Sequence, residues 1–387
     1  MLNFIPIFGL RFIMLSTILT KILNYFSHSS KSIPLDPDAC FILMWLREYK
    51  YTRNTYITYR IIVLRFYLWI KYNNLSVKAI TKYHLLSYAE FIKSPDPSWC
   101  NIHRHKFNHP QWRPFQKPLS NRSIYLNLLA IKNMFTYLYN SGELLYNPFG
   151  FRFRLPGYSY YSFIKQSRYL TEHEFSLIID LIEKMPASSS KLLDSKIRIL
   201  WVFKLLFHTA CRRNEIVNTT MNDIKFINHR LWLEVTGKGD KIGRIPVTTE
   251  LAIALEEYRA YHGLCPIYKR INNESHIPLI ILRKTDTHFS PISAGHLWYI
   301  IKSTCMLLTE SITDPILINK FRQLSPHWLR HTSATAQIDA GVDIRAVQQN
   351  LRHYLMETTM RYVHIDNDIR HQLTNANFRI KRDTVDN

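Results

Sequence analysis

The chain has 387 residues, with 50 Lys+Arg against 29 Asp+Glu, a net charge of +21 at pH 7 and 47% hydrophobic residues. That apolar content supports buried cores and excludes wholesale disorder, and the length suits two domains with an additional tail. Positive charge in this excess, spread along the whole chain, points to a polyanionic partner, nucleic acid ahead of an anionic membrane surface.

Residues 1–37 open the chain as an apolar N-terminal extension. Arg11 and Lys21 interrupt it, and Pro6 and Gly9 weaken a helix. A membrane span needs roughly 20 apolar residues with few charges. A secretory signal needs its positive charge ahead of the apolar run. Neither pattern is met cleanly, so a membrane association is disfavoured and Met14 is an equally good initiator. The five cysteines, Cys40, Cys100, Cys211, Cys265 and Cys305, are odd in number and far apart, which gives no disulfide framework and suits a reducing cytoplasm.

Residues 38–148 read as a helical unit whose basic faces either meet phosphates or are solvated. Tyr56, Tyr59, Ile62 and Leu64 to Leu68 recur near helical spacing between Thr52 and Asn73. Ser120 to Tyr139 repeats the pattern with Ile124, Leu128, Ile131, Phe135 and Leu138, and stops at Asn140-Ser141-Gly142. Between these helices, Cys100, His103, His105 and His109 offer four N/S donors. Their spacing matches no common zinc finger, so a loop lying on DNA competes with a metal site, and no metal is assigned. Residues 149–169, rich in Gly, Pro, aromatics and basic residues, form the interdomain linker.

The second domain spans 170–370. Thr171 and Glu174 form a capping box ahead of the stripe Phe175, Ile178, Ile179 and Ile182. A helix over Ser195 to Thr209 leads into HTACRRNEI. RLWLEV and GRIPVT are short β runs joined by TGKGDKI, whose Gly237 and Gly239 permit a tight hairpin. Beyond Ser290 the chain reads as mostly helical. Ser325 caps a helix that begins at Pro326 and stops at Gly341, and Asp343 caps IRAVQQNL with Ile344, Val347 and Leu351 facing inward. The tail, 371–387, docks on a neighbouring protomer or packs on its own domain.

Several residues have alternative readings when taken singly. Arg212 or Arg213 pairs with Glu215, either structurally or to orient a functional guanidinium. Lys238 at a hairpin tip reaches a duplex or faces solvent. His327 and Arg330 lie one turn apart on one helical face, where a guanidinium fork fits phosphate oxygens and an imidazole moves a proton. His331 competes with His327 for that role. His353 ends the next helix. Tyr362 is one of 23 tyrosines, and Tyr354 is its local rival.

Their conjunction resembles the catalytic domain of the tyrosine recombinases, the phage-integrase family. HTACRRNEI is similar to the segment around that family's first catalytic arginine, VTGKGDKIGRIPV to its hairpin, PHWLRHTSATAQIDAG to its His-x-x-Arg box and LRHYLMETTMRYVHI to its final box. The resemblance implies Arg212, Lys238, His327, Arg330 and His353 as catalytic residues, Tyr362 as nucleophile and Glu215 in support. It implies a mainly α fold with a small β-hairpin or sheet in the catalytic domain, arranged as a two-domain DNA clamp. The helical unit 38–148 is similar to the family's core-binding domain.

Two departures stand out: Cys211 replaces a small or aliphatic residue, and Arg352 replaces the glycine commonly preceding the last histidine. The implied activity is cutting and rejoining of double-stranded DNA at a recombination site through a 3′-phosphotyrosyl intermediate. Strand exchange would run through a Holliday junction in a homotetramer, with no cofactor. A type IB topoisomerase and a non-catalytic DNA-binding protein are the alternatives.

Overall fold

The computed structural model describes residues 36–103, 105, 109, 111–150, 169–237, 241–270, 273–285 and 288–360. The calls on residues 1–35 of the N-terminal extension, on 151–168 of the linker and on the tail lie outside them. The chain divides into two compact units, residues 1–164 and 165–387, each with its own hydrophobic core.

In the first unit, α1 (Pro37–Arg47), α2 (Arg53–Tyr72), α3 (Lys82–Lys93) and α4 (Asn121–Asn140) surround an aromatic core. The predicted stripe of α4 is wholly buried, from Ile124 to Leu138. That of α2 is buried from Ile62 onward, apart from half-buried Arg65, and half-buried at Tyr56 and Tyr59. Phe66 meets Tyr88 and Phe135 edge-on at centroid distances of 5.0 and 6.0 Å, a geometry that aligns ring edges with ring faces. Asp38, nearly sealed from water, accepts from the Val77 amide at 2.7 Å and from Lys71, which satisfies a charge that would otherwise destabilise the core.

The second unit opens with α5 (Glu172–Glu183), capped reciprocally by Thr171 and Glu174 as the sequence predicts. Helix α6 (Ser190–Thr209) begins five residues before the predicted start, because the Ser189 hydroxyl accepts from the Leu192 amide and caps an extra turn. After the single turn α7 (Arg213–Ile216), strands β1 (Ile224–Ile227), β2 (Arg230–Thr236) and β3 (Ile242–Pro246) form an antiparallel sheet in the order β1-β2-β3. The predicted hairpin is β2–β3, with Val235 opposite Gly243. Strand β1 was not foreseen. It turns into β2 through Asn228 and His229, both at positive φ (49° and 60°), the pairing that matches strand twist without a glycine.

Helix α8 (Thr249–Tyr261) and the hairpin β4 (Ile281–Lys284) and β5 (Phe289–Pro291) also fell outside the sequence reading. They lock onto α6. The Trp201 indole donates to the Leu279 carbonyl at 2.8 Å and stacks on Tyr258, whose hydroxyl accepts from the Ile281 amide at 2.9 Å. Helices α9 (Ala294–Leu308), α10 (Pro315–Gln323), α11 (Pro326–Asp339), α12 (Ile344–Leu351) and α13 (Met356–Met360) follow. Ser325 and Asp343 cap α11 and α12 as expected, and Gly341 sits at φ +80° in the turn between them. On α12, Val347 and Leu351 are buried, whereas Ile344 is only half-buried. Among the described residues no helix is long and apolar enough to cross a membrane.

One buried ion pair offers a test of this packing. Arg259, fully buried on α8, makes two 2.8 Å bonds to Glu274 and a third at 2.9 Å to the Cys265 carbonyl. Arg259→Ala leaves the buried Glu274 charge with only the more distant Arg270, 3.9 Å away, so urea unfolding should register a loss of about 3 kcal/mol. A loss under about 1 kcal/mol would mean that the pair behaves as a solvated one.

Candidate active site

Helix α6 ends at Ala210, fully buried and in the left-handed conformation (φ +49°). This stop turns the chain so that Cys211 points inward and Arg212 becomes the N-cap of α7. The Glu215 carboxylate folds back on Arg212: Oε2 accepts from the Arg212 amide and Oε1 from its Nη1, each at 2.9 Å. Glu215 is buried, while the Arg212 side chain stays 47% exposed, free to reach outward. Of the two candidate arginines, Arg212 therefore takes the pairing. Burial pushes the Cys211 thiol pKa up, which keeps it protonated and disqualifies it as a nucleophile.

Arg330 rises from α11 and is 3% exposed. Its Nη1 donates to the Ala210 carbonyl, and its Nη2 to the Leu351 carbonyl and to His353 Nε2, the last at 3.1 Å. Guanidinium nitrogens only donate, so His353 Nε2 accepts, and its Nδ1–H goes to Thr359 Oγ1 at 2.9 Å. The ring that sequence reasoning aimed at a phosphate is thus held between Arg330 and Thr359. His327 and His331, on the same α11 face, approach Nε2 to Nε2 at 3.0 Å, so the two competitors share one hydrogen bond.

A cleft of about 500 Å³ collects these groups, lined by Cys211, Arg212, Glu215, Trp298, His327 and Arg330 among others. Segments more than a hundred residues apart in sequence thereby face one volume. Sequence reasoning missed Trp298, a partly exposed indole on α9 with no distinguishing spacing. It also missed the path of Arg352. This residue ends α12 in the left-handed conformation (φ +53°), so the helix-end geometry survives without glycine, at a strain of about 1–2 kcal/mol. Its Nη2 binds Glu215 Oε2. Arg212, Arg213 and Arg330 line the cleft against the one carboxylate of Glu215, which leaves it positive and suited to a phosphate.

Lys238 and Tyr362 lie outside the described residues. The flank of the Lys238 loop is described: the Gly237 amide donates to the Lys241 carbonyl at 2.8 Å, and a methyl group on Gly237 would stand 3.6 Å from Glu215 Oε1. Gly237, the described flank of that loop, therefore lies beside the Arg212–Glu215 pair. Tyr354, the rival phenol, is 91% exposed, with Lys241 Nζ 5.9 Å from its ring centre. In the other unit, His105 and His109 stack at 4.3 Å, and no group of three or more metal-binding side chains occurs among the described residues.

Residues 168–368 match the Phage integrase family. The chain is 26% identical over 270 residues to a tyrosine recombinase XerC of Staphylococcus saprophyticus, covering 70% of this chain and 80% of that one. It is 23% identical over 348 residues to the XerC of Staphylococcus carnosus, covering 89% and 97%. The fold is similar to that of the XerH site-specific recombinase bound to difH substrate in a pre-cleavage complex. There the TM-score is 0.59 at 18% identity, over 94% of this chain and 96% of the other.

The Glu215 carboxylate carries a pH signature. Burial works to raise its pKa, but the Arg352 charge and the hydrogen bonds from Arg212 outweigh burial and hold it below the ordinary value of 4.5. A depressed folded value means that the contribution to stability is complete above the unfolded value and disappears as pH falls through the folded one. Urea midpoints followed from neutral pH into acid should therefore contain a Glu215 component that fades only below about 4.5. Glu215→Gln should flatten that part of the acid slope, and an unaltered slope in the variant would refute the ion-paired carboxylate.

Proposed function

The chain belongs to the phage integrase family, the tyrosine recombinases, and from that premise we propose that it cuts and rejoins double-stranded DNA at a specific site through a 3′-phosphotyrosyl link to Tyr362. The observation that carries this reading is the convergence of Arg212, His327 and Arg330 on one positive cleft, with His353 bonded to Arg330 behind it. In the proposed organisation residues 38–148 are the core-binding domain and 170–370 the catalytic domain.

The Tyr362 oxygen attacks the scissile phosphorus while His327, relayed to His331, takes the phenolic proton. The bond to the 5′-oxygen breaks, and Lys238 supplies that oxygen's proton. Arg212 and Arg330 meet the non-bridging oxygens, whose negative charge grows in the transition state. His353 aims Arg330. The phosphodiester energy is kept in the covalent link, so a 5′-hydroxyl from a partner duplex reverses the step and joins new ends. Exchange of the first strand pair gives a Holliday junction inside a homotetramer, and repetition on the second pair resolves it into recombined duplexes. The work takes place in the cytoplasm, a compartment that also suits five free cysteines.

A library of randomised duplexes, each nicked so that the short 5′-hydroxyl fragment diffuses away, traps the intermediate and reveals the site when the adducts are sequenced. Wild-type protein should form a covalent adduct, Tyr354→Phe should retain it and Tyr362→Phe should lose it. Arg212→Ala and Arg330→Ala should each slow its formation by roughly 10²–10³-fold. Absence of adduct from wild-type protein, or an equal yield from Tyr362→Phe, would overturn the assignment.

A further inference from the structure

Arg352 lies beside the proposed chemistry without a role in it. Its backbone is left-handed, a state that glycine adopts without strain and arginine does not. From there its side chain crosses strand β3 at Gly243, where a Cβ would collide with Arg352 Cδ and crowd Cγ. At the end of that path Nη2 reaches Glu215 Oε2, on the far side of the carboxylate from the Oε1 that binds Arg212 Nη1. The adjacent residue, His353, accepts from Arg330. One dipeptide thus touches both phosphate-facing arginines, the first residue through Glu215 and the second directly. With side-chain exposures of 12% and 7%, the Arg352–Glu215 contact is shielded from the solvent that weakens surface pairs. Arg352 Nε and Nη1 are buried with no hydrogen-bond partner among the described residues, a cost that a contact serving stability alone would not carry.

Resting on the reading that Arg212 and Arg330 hold the scissile phosphate, we infer that Arg352 is a positioning residue for Arg212. Acting through Glu215 along the gap left by Gly243, it fixes the Arg212 guanidinium relative to Arg330 before DNA arrives. Preorganised donors need no rearrangement when charge develops, so the effect belongs to the rate of the chemical step and not to DNA affinity.

The test uses the full-length protein and the nicked duplex trapped by the wild type. Arg352→Gly should remain folded, because glycine suits the left-handed turn and Arg212 still pairs with Glu215, while loss of one cation from that buried carboxylate lowers the thermal midpoint. It should bind the duplex within about twofold of wild type yet form the adduct about tenfold or more slowly at saturating DNA. Arg352→Lys, which returns a cation to Glu215, should recover part of the rate. Gly243→Ala should slow the reaction by displacing the same side chain, and Gly243→Ala combined with Arg352→Gly should be no slower than Arg352→Gly alone. A wild-type rate in Arg352→Gly, a loss confined to DNA affinity, or single losses that multiply in the double variant would each overturn the inference. Failure of wild-type protein to form adduct would instead defeat the recombinase chemistry on which it rests.

Discussion

The Arg330 guanidinium, sealed from water between two helix ends, is the interaction on which the second unit depends. It bonds to the Ala210 carbonyl at the end of α6 and to the Leu351 carbonyl at the end of α12. Terminal carbonyls lack partners within their own helices and carry the negative end of the helix dipole. A cation placed there satisfies both ends at once and gathers α6, α11 and α12 around itself. The two carbonyl dipoles fix the position of the guanidinium beside the cleft that it lines.

Arg212 solves the same problem differently. Half of its side chain faces solvent, and its partner Glu215 is the buried one. One arginine is therefore rigid and deep, the other anchored by its backbone and extended into the cleft. The overall charge of +21 acts at a different range. Fields of that size draw DNA in and weaken with salt, while the cleft arginines act only at contact.

The sequence was legible wherever the physics is local. Apolar stripes located α2, α4 and α5, and Ser325 and Asp343 marked their helix starts, because caps and periodicity involve residues a few positions apart. Strand β1 escaped because IKFI is short and its turn uses Asn228 and His229 in place of the usual glycine. The first turn of α6 escaped because the capping Ser189 sits within a run of polar residues that carries no apolar stripe. In the site, the arginines and histidines were legible as types at known spacings. That Arg212 and not Arg213 meets Glu215 was not, since the choice depends on the left-handed stop at Ala210. Nor was the route of Arg352, which needs a glycine on a strand far away in sequence.

The Leu170 amide, one residue into the described part of the second unit, donates to Thr332 Oγ1 at 3.0 Å in a fully buried bond. Thr332 stands two residues beyond Arg330 on α11. The incoming chain is thus tethered to the helix that bears the most deeply held guanidinium, well ahead of the rest of the unit in sequence. Tension applied at Leu170 would therefore reach α11 through this bond as well as α5 along the chain, and on α11 it would arrive within one helical turn of Arg330.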